Sequence, residues 1–106
     1  MPTFILMTKL SPDAMRDPRG RRAVGRAWME NVKTLCPEVR WISHYAILGP
    51  YDFMDIYEAP DDETAHRVSL ISRSEGATTA ESWGALPYDR YVPLVEEVEK
   101  VEGKGA

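Results

Sequence analysis

Three polar side chains with the chemistry of an acid–base site, His44, Asp55 and Tyr57, fall in two neighbouring segments that alternate between apolar and polar residues. The turn sequence at 49–51, Gly-Pro-Tyr, separates the segments and predicts a β-hairpin. With the turn centred on its last two residues, His44 is expected opposite Tyr57 and diagonal to Asp55, on one face of the sheet. An imidazole oriented by a carboxylate can act as a general base, while the tyrosine hydroxyl positions a substrate.

A structural interpretation of these residues stays open, because buried polar groups are usually hydrogen-bonded without performing any chemistry. One histidine and one aspartate do not make a metal site, since zinc takes three or four ligands, so neither a metal nor another cofactor is predicted. Trp83 and Glu81, on a later predicted strand, are the candidate ligand-binding residues. The small residues beside Trp83 leave room either for a ligand or for the close approach of another element.

Length, charge and cysteine content restrict the class of protein. The 106 residues suffice for one domain, and the net charge of −4 at pH 7 argues against a general nucleic-acid binder. A single cysteine, Cys36, cannot form an internal disulfide, and the first ten residues resemble neither a signal peptide nor a membrane span. We therefore expect a cytoplasmic protein without a nucleic-acid or membrane partner. Four nearby arginines are interpreted as solvated, with an anion site as the alternative; they are Arg16, Arg19, Arg21 and Arg22.

The apolar periodicity predicts the order β-α-β-β-α-β followed by a last helix, which is an α+β, ferredoxin-like sandwich. Ser11 is expected to cap the first helix, and Asp61 or Asp62 the helix that follows the hairpin. Residues 1–101 are predicted to form the single domain and residues 102–106 a frayed tail. The predicted strands are 3–10, 39–48, 52–58 and 78–86. The first predicted helix starts at residue 11, is interrupted and restarts near residue 19, and ends at residue 35. The two later predicted helices cover 61–73 and 89–100.

Strand alternation divides the hairpin residues into two sets. The set that is more continuously apolar is expected beneath the helices; it contains Trp41, Ser43, Tyr45, Ile47, Met54, Ile56 and Glu58. The other set is expected on the open face of the sheet; it contains Ile42, His44, Ala46, Leu48, Phe53, Asp55 and Tyr57. Its apolar members are too numerous to be left in water, which predicts a homodimer joined through this face.

The stretch GPYDFMDIYEAPDDETA at 49–65, together with HYAILGPYD at 44–52, resembles the central motif of the GYD-domain family. The opening PTFILMTKLSPDA and residues 76–86 are similar to the first and last strands of that family, so the resemblance covers about residues 1–95. The arginine-rich segment at 17–22, the tail, and the proline between the glycine and tyrosine depart from the family pattern. The resemblance implies the dimeric α/β-barrel group, and with it a homodimer.

Two classes of function are compatible with these features. The first is a homodimeric binding or accessory protein that holds a small, partly apolar molecule. The second, which the resemblance to the barrel group implies, is a cofactor-independent enzyme of the monooxygenase or isomerase type. In that enzyme His44, oriented by Asp55, would abstract a proton from an activated aromatic or polyketide-like substrate. A catalytic role requires that His44 line a cavity of roughly 300 Å³ or more.

Overall fold

The computed structural model of the chain describes residues 1–105, and side chains for residues 1–103. The strands form one antiparallel sheet in the order β2-β3-β1-β4, which confirms the predicted α+β, ferredoxin-like arrangement. The elements are β1 (Thr3–Leu10), α1 (Pro12–Met15), α2 (Arg21–Leu35), β2 (Arg40–Ala46), β3 (Phe53–Glu58), α3 (Asp62–Ser74), β4 (Ala77–Ala85) and α4 (Tyr88–Gly105).

Local sequence signals account for the starts of two helices. The Ser11 hydroxyl accepts a hydrogen bond from the Ala14 backbone N–H at 3.1 Å and so caps α1. Of the two aspartates predicted as the cap of α3, Asp61 fills that position: its Oδ1 accepts from the backbone N–H of Thr64 at 2.8 Å and from its hydroxyl at 2.7 Å. Between α3 and β4, Gly76 has φ +113°, and a Cβ there would lie 2.8 Å from the Cβ of Ala14. The glycine therefore lets α1 approach the sheet closely.

The predicted hairpin register is wrong by two residues. His44 pairs with Asp55 and Ala46 pairs with Phe53, so the histidine faces the aspartate directly and not diagonally. The cause is the turn: Ile47 N–H donates to the carbonyl of Asp52 at 3.0 Å, which leaves a four-residue loop at 48–51. The tighter turn expected from the Gly-Pro-Tyr sequence does not form.

The predicted face assignment is also wrong. Asp55 and Tyr57 lie on the face that α2 and α3 cover, beside the buried residues Phe4 and Leu6 of β1. Trp41 is an exception, because it was expected beneath the helices and lies there: a bulge between Trp41 and Ser43 breaks the alternation of β2 and places Trp41 beside Tyr57. The covered face accepts the polar groups because the Asp55 carboxylate and the Tyr57 hydroxyl both have hydrogen-bond partners.

The opposite face of the sheet is not covered by any helix of the described residues. We call it the open face; by strand alternation it carries Ile5, Met7, Lys9, Tyr45, Met54, Ile56, Glu81 and Trp83. Tyr45 is 53% exposed and Trp83 is 45% exposed. Phe53, one of the residues on which the homodimer prediction rested, is therefore not on this face. The uncovered apolar surface is therefore formed by the open-face residues listed above and not by the predicted set.

The last helix is longer than predicted and projects from the rest of the molecule. It continues through residues 102–105, which were expected to be frayed, and Ala106 lies outside the described residues. The molecule measures 63 × 30 × 19 Å, with a radius of gyration of 17.3 Å. A compact domain of about 100 residues has a radius of gyration of about 13 Å. None of the helices that the structure describes is long and apolar enough to cross a membrane.

Candidate functional site

A cavity of about 580 Å³ lies between α2 and the covered face of the sheet. Residues of α1 and β4 and the C-terminal end of α3 complete its walls. The volume falls within the range of small-molecule sites, which is about 300 to 1,000 Å³. Both His44 and Asp55 line this cavity. The size that the catalytic interpretation of His44 required is therefore present.

His44 and Asp55 form a close hydrogen-bonded pair in the cavity wall. The His44 Nδ1 lies 2.5 Å from the Asp55 Oδ1, and the side chains are 61% and 6% exposed respectively. The imidazole thus lies at the rim and the carboxylate at the floor. Burial raises the pKa of Asp55, while the neighbouring His44 acts in the opposite direction.

The backbone and one aromatic ring orient this pair. His44 is on the edge strand β2 and Asp55 on the adjacent strand β3, directly opposite in the register. The ring of Phe53 stacks on the imidazole with 5.4 Å between centroids. With Asp55 ionised, Nδ1 is protonated and its N–H donates a hydrogen bond to the carboxylate, which leaves Nε2 as the acceptor. A ligand hydroxyl or a C–H acid placed at Nε2 would therefore meet an oriented base.

Two tryptophans form an aromatic wall of the cavity. Trp28 of α2 and Trp41 of β2 are half-buried and meet edge to face, 5.2 Å between ring centroids. The indole N–H of Trp28 donates to the Ser72 hydroxyl at 2.8 Å, which ties α2 to α3. Both rings also pack against the hydrophobic core. Their spacing in the sequence is that of core residues, so it does not indicate that they also line a cavity.

The four arginines near the start of α2 do not act as one anion site. Arg16 and Arg19 pair with Asp13 and Asp17 of their own segment, at 3.8 Å and 3.0 Å. Arg21, in contrast, lines the cavity. It supplies a cationic side chain to a wall that also contains Glu75, whose carboxylate accepts a hydrogen bond from Asn31.

Tyr57, the third residue of the predicted catalytic group, is not among the residues that line the cavity. It is fully buried, and its hydroxyl lies 2.6 Å from that of Ser82, which in turn lies 2.9 Å from that of Ser69. Burial raises the pKa of Tyr57 to about 12. A neutral phenol that contacts a chain of two serine hydroxyls, outside the cavity wall, is a structural arrangement.

The candidate ligand-binding residues Trp83 and Glu81 lie on the open face, away from His44. The Glu81 Oε1 accepts from the Trp83 indole N–H at 3.1 Å and from the Tyr51 hydroxyl at 3.0 Å. The sheet therefore separates the five predicted site residues into two groups. Among residues 1–105, no group of three histidine, cysteine, aspartate or glutamate side chains is placed to hold a metal ion.

Comparisons with known proteins agree with this fold. The GYD domain matches residues 4–95 of the chain. A Thermus thermophilus protein named "Glutamine synthetase and cystathionine beta-lyase binding protein" is 32% identical over an alignment of 91 positions, and the match covers 82% of this chain and 90% of that protein. A crystal structure of a protein from Thermus thermophilus superimposes with a TM-score of 0.56 at 22% identity, covering 82% of this chain and 95% of that one. At that identity, the structural likeness is evidence for the fold alone.

Proposed function

This chain belongs to the GYD-domain family, and from that premise we propose that it is a homodimeric accessory protein that holds a small, partly apolar molecule. The proposed site is the cavity between α2 and the sheet, all of whose lining residues fall within the matched region 4–95. The observation that carries the proposal is the His44–Asp55 pair in the wall of a cavity of about 580 Å³.

The composition of the wall defines the kind of ligand. Trp28, Trp41 and Phe53 offer aromatic surface to an apolar body, whose burial gains about 25 cal/mol for each Å² removed from water. His44, Asp55 and the nearby Arg21 and Glu75 offer both hydrogen-bond acceptors and donors. The wall contains both cationic and anionic groups. The matching ligand is therefore mainly apolar with one or two polar groups.

The cost of burying Asp55 also supports a ligand site. A buried carboxylate does not increase the free energy of unfolding relative to an apolar side chain packed at the same position, because moving a charge out of water is unfavourable. Burial is the largest cause of the raised pKa of Asp55. Ionisable residues with such perturbed pKa values concentrate at functional sites, particularly where they line a cleft.

A titration with the fluorescent probe 1-anilinonaphthalene-8-sulfonate tests this proposal. It has an apolar ring system and one polar group, and energy transfer from tryptophan reports its binding. We expect one site per chain in the unmodified protein, and at least tenfold weaker binding in His44→Ala. The control is His66→Ala, since His66 is exposed on α3 and does not line the cavity. Equal binding by both variants would contradict the proposal.

The homodimer is the second element of the proposal. Its support is the open face, where Tyr45 and Trp83 are about half exposed beside Ile5, Met54 and Ile56. Apolar patches of this kind mark interaction surfaces. Sedimentation at micromolar concentration should give twice the mass of one chain, and the mass of a single chain would contradict the homodimer. We also propose the cytoplasm as the location, which fractionation of the host cells would test.

Binding to partner enzymes is a second candidate function. The observation in its favour is the relative at 32% identity, which is named for binding glutamine synthetase and cystathionine beta-lyase. The test is biolayer interferometry with each of these enzymes purified from the host of this chain. Saturable binding to either enzyme would support this function. If the anilinonaphthalene probe changed that binding, ligand binding and enzyme binding would be coupled. No binding to either enzyme would contradict this function.

A further inference from the structure

The cavity between α2 and the sheet contains a buried hydroxyl that no other group of the described chain uses. Thr8 lies on β1, an inner strand of the sheet, lines the cavity and is only 7% exposed. In the described residues, every side-chain nitrogen or oxygen that is closed off from solvent has a hydrogen-bond partner. The Thr8 hydroxyl has no partner among residues 1–103, so it must open onto the cavity.

The carboxylate of Asp55 also has one oxygen that is not used. Its Oδ1 contacts the Nδ1 of His44, whereas its Oδ2 makes no hydrogen bond with residues 1–103. The Asp55 side chain is 6% exposed and lines the cavity. By the same reasoning, Oδ2 opens onto the cavity. A carboxylate oxygen that has lost most of its water favours a hydrogen-bond donor in its place.

Thr8 and Asp55 are diagonal neighbours on adjacent strands. In the register of β1 and β3, Thr8 pairs with Phe53 and Leu6 pairs with Asp55. Strand alternation places these four residues on the face that the helices cover. Diagonal neighbours lie about 7–8 Å apart, and their side chains point in the same direction. One polar atom of a ligand between these two side chains can therefore reach both of them.

The chemistry of the two groups is complementary to a hydroxyl. An ionised carboxylate only accepts hydrogen bonds, while the threonine hydroxyl both donates and accepts. A ligand hydroxyl can donate to Asp55 and accept from Thr8 at the same time. A ligand ammonium group only donates, and a ligand carboxylate only accepts and would meet the negative charge of Asp55. The same cavity offers the aromatic surface of Trp28, Trp41 and Phe53.

We propose that the cavity selects aromatic compounds that carry a hydroxyl, and that this hydroxyl binds between Thr8 and Asp55. The inference rests on the proposed ligand-binding function and names the chemical class of the ligand. Thr8 is then a residue that determines specificity by direct contact with the ligand. His44 contributes by holding Oδ1 of Asp55, which leaves Oδ2 for the ligand.

Arg21 offers a competing arrangement for an aromatic carboxylate. It is the first residue of α2 and lines the same cavity, but it is exposed. An ion pair with an exposed cation contributes little, because water already solvates both partners. Thr8 and Asp55, in contrast, are largely removed from water. The buried pair therefore has the greater influence on which ligand binds.

Displacement of the anilinonaphthalene probe by naphthalenes that differ in one substituent tests this inference. Burial of apolar area alone favours 2-methylnaphthalene over 2-naphthol, so a preference for the naphthol measures hydrogen bonding. We expect 2-naphthol to displace the probe at a concentration about tenfold lower than 2-methylnaphthalene. The ether 2-methoxynaphthalene, which accepts but does not donate, should resemble the methyl compound. The anion 2-naphthoate and the cation 2-naphthylmethylammonium should both bind more weakly than 2-naphthol.

The outcomes of this series separate the inference from the proposed function. Equal displacement by 2-naphthol and 2-methylnaphthalene would overturn the inference and leave an apolar ligand site in place. A preference for 2-naphthoate would overturn it in favour of Arg21, and a preference for the ammonium compound in favour of Asp55 alone. A protein that binds neither the probe nor any of these compounds would contradict the proposed function as well.

Substitutions at Thr8 test whether its hydroxyl causes the preference. Thr8→Val keeps the shape of the side chain but removes the hydroxyl, so the affinity for 2-naphthol should fall about fivefold while that for 2-methylnaphthalene should not fall. Thr8→Ser keeps a hydroxyl and should keep the preference. The matched control is Thr78→Val, since Thr78 is exposed on β4 and does not line the cavity. Thermal melting of each variant verifies that it is folded. Equal affinity for 2-naphthol in all three variants would overturn the inference.

Discussion

His44 and Asp55 are joined across β2 and β3 by a 2.5 Å contact between Nδ1 and Oδ1, with the imidazole 61% exposed and the carboxylate only 6% exposed. The two partners therefore experience different surroundings. Burial raises the pKa of the aspartate, whereas the more exposed histidine lines the cavity and has its other nitrogen, Nε2, outside this contact. This asymmetry is what an oriented acceptor requires, and it allows the roles of the two residues to be tested separately.

Replacing Asp55 with asparagine should preserve or raise the melting temperature at neutral pH. Asparagine keeps the shape and a hydrogen bond to the imidazole but removes a buried charge. Binding of the anilinonaphthalene probe should nevertheless weaken, because the orientation of His44 is less strictly held. Thermal melting and titration of the same preparation measure both effects. A fall of many degrees in the melting temperature would assign Asp55 a structural role.

The pH dependence of stability should differ between the unmodified protein and Asp55→Asn. Burial raises the pKa of Asp55 above the 3.8 of an unperturbed carboxyl, so the folded chain retains this proton to higher pH than the unfolded chain. The stabilisation by protonated Asp55 is complete below about pH 3.8 and is lost as the pH rises through the raised pKa. The stability of the unmodified protein relative to Asp55→Asn should therefore fall as the pH rises from about 3.8 through the raised pKa of Asp55.

Denaturant unfolding at a series of pH values measures this difference. If the relative stability of the unmodified protein rose with pH, the attraction between the Asp55 carboxylate and His44 would outweigh the cost of burial. The pair would then be a stabilising ion pair, and the argument that Asp55 is retained for ligand binding would fail.

Tyr57→Phe should lower stability without changing probe affinity. The phenol hydroxyl of the buried Tyr57 contacts the Ser82 hydroxyl at 2.6 Å, and losing such a hydrogen bond costs about 1 kcal/mol. Tyr57 is not among the cavity-lining residues, so the affinity should equal that of the unmodified protein. Denaturant unfolding and probe titration are the measurements. A tenfold loss of probe affinity with unchanged stability would contradict this prediction and indicate that Tyr57 belongs to the ligand site.

Asp61→Ala should lower the melting temperature by several degrees, and Asp62→Ala by less. Asp61 accepts two hydrogen bonds from Thr64 as the cap of α3, whereas Asp62 is the first residue of that helix. The bonds from Thr64 hold the pKa of Asp61 below its usual value, so this stabilisation is present at neutral pH and is lost as the pH falls through the lowered pKa. Equal melting temperatures for the two variants would contradict the assignment.

Local sequence signals predicted the order of the elements, the caps of α1 and α3 and the contact of His44 with Asp55. The covered face could not be predicted, because alternation separates residues into two sets without saying which set the helices cover. On β1 both sets are apolar, with Phe4 and Leu6 on one side and Ile5 and Met7 on the other. The polar residues Asp55 and Tyr57 then suggested an open face, although both are satisfied by hydrogen bonds in the interior.

The cavity and its aromatic wall could not be predicted for a related reason. Their existence depends on the distance between α2 and the sheet, which is a property of the assembled fold. Trp28 and Trp41 have the spacing of core residues. The bulge beside Trp41 contains neither glycine nor proline, so the sequence gives no sign of its position. The prediction of a site at His44 stays a prediction until a ligand is observed.

The most direct test of the central claim, that the cavity between α2 and the sheet binds a small partly apolar molecule, uses the three tryptophans as reporters. Trp28 and Trp41 line the cavity, whereas Trp83 lies on the open face. Their indole N–H signals are assigned in a ¹⁵N-labelled protein by single phenylalanine substitutions and followed as the anilinonaphthalene probe is added. We predict that the Trp28 and Trp41 signals shift together and saturate, while the Trp83 signal stays in place. A shift of the Trp83 signal alone, or of none of the three, would contradict the claim.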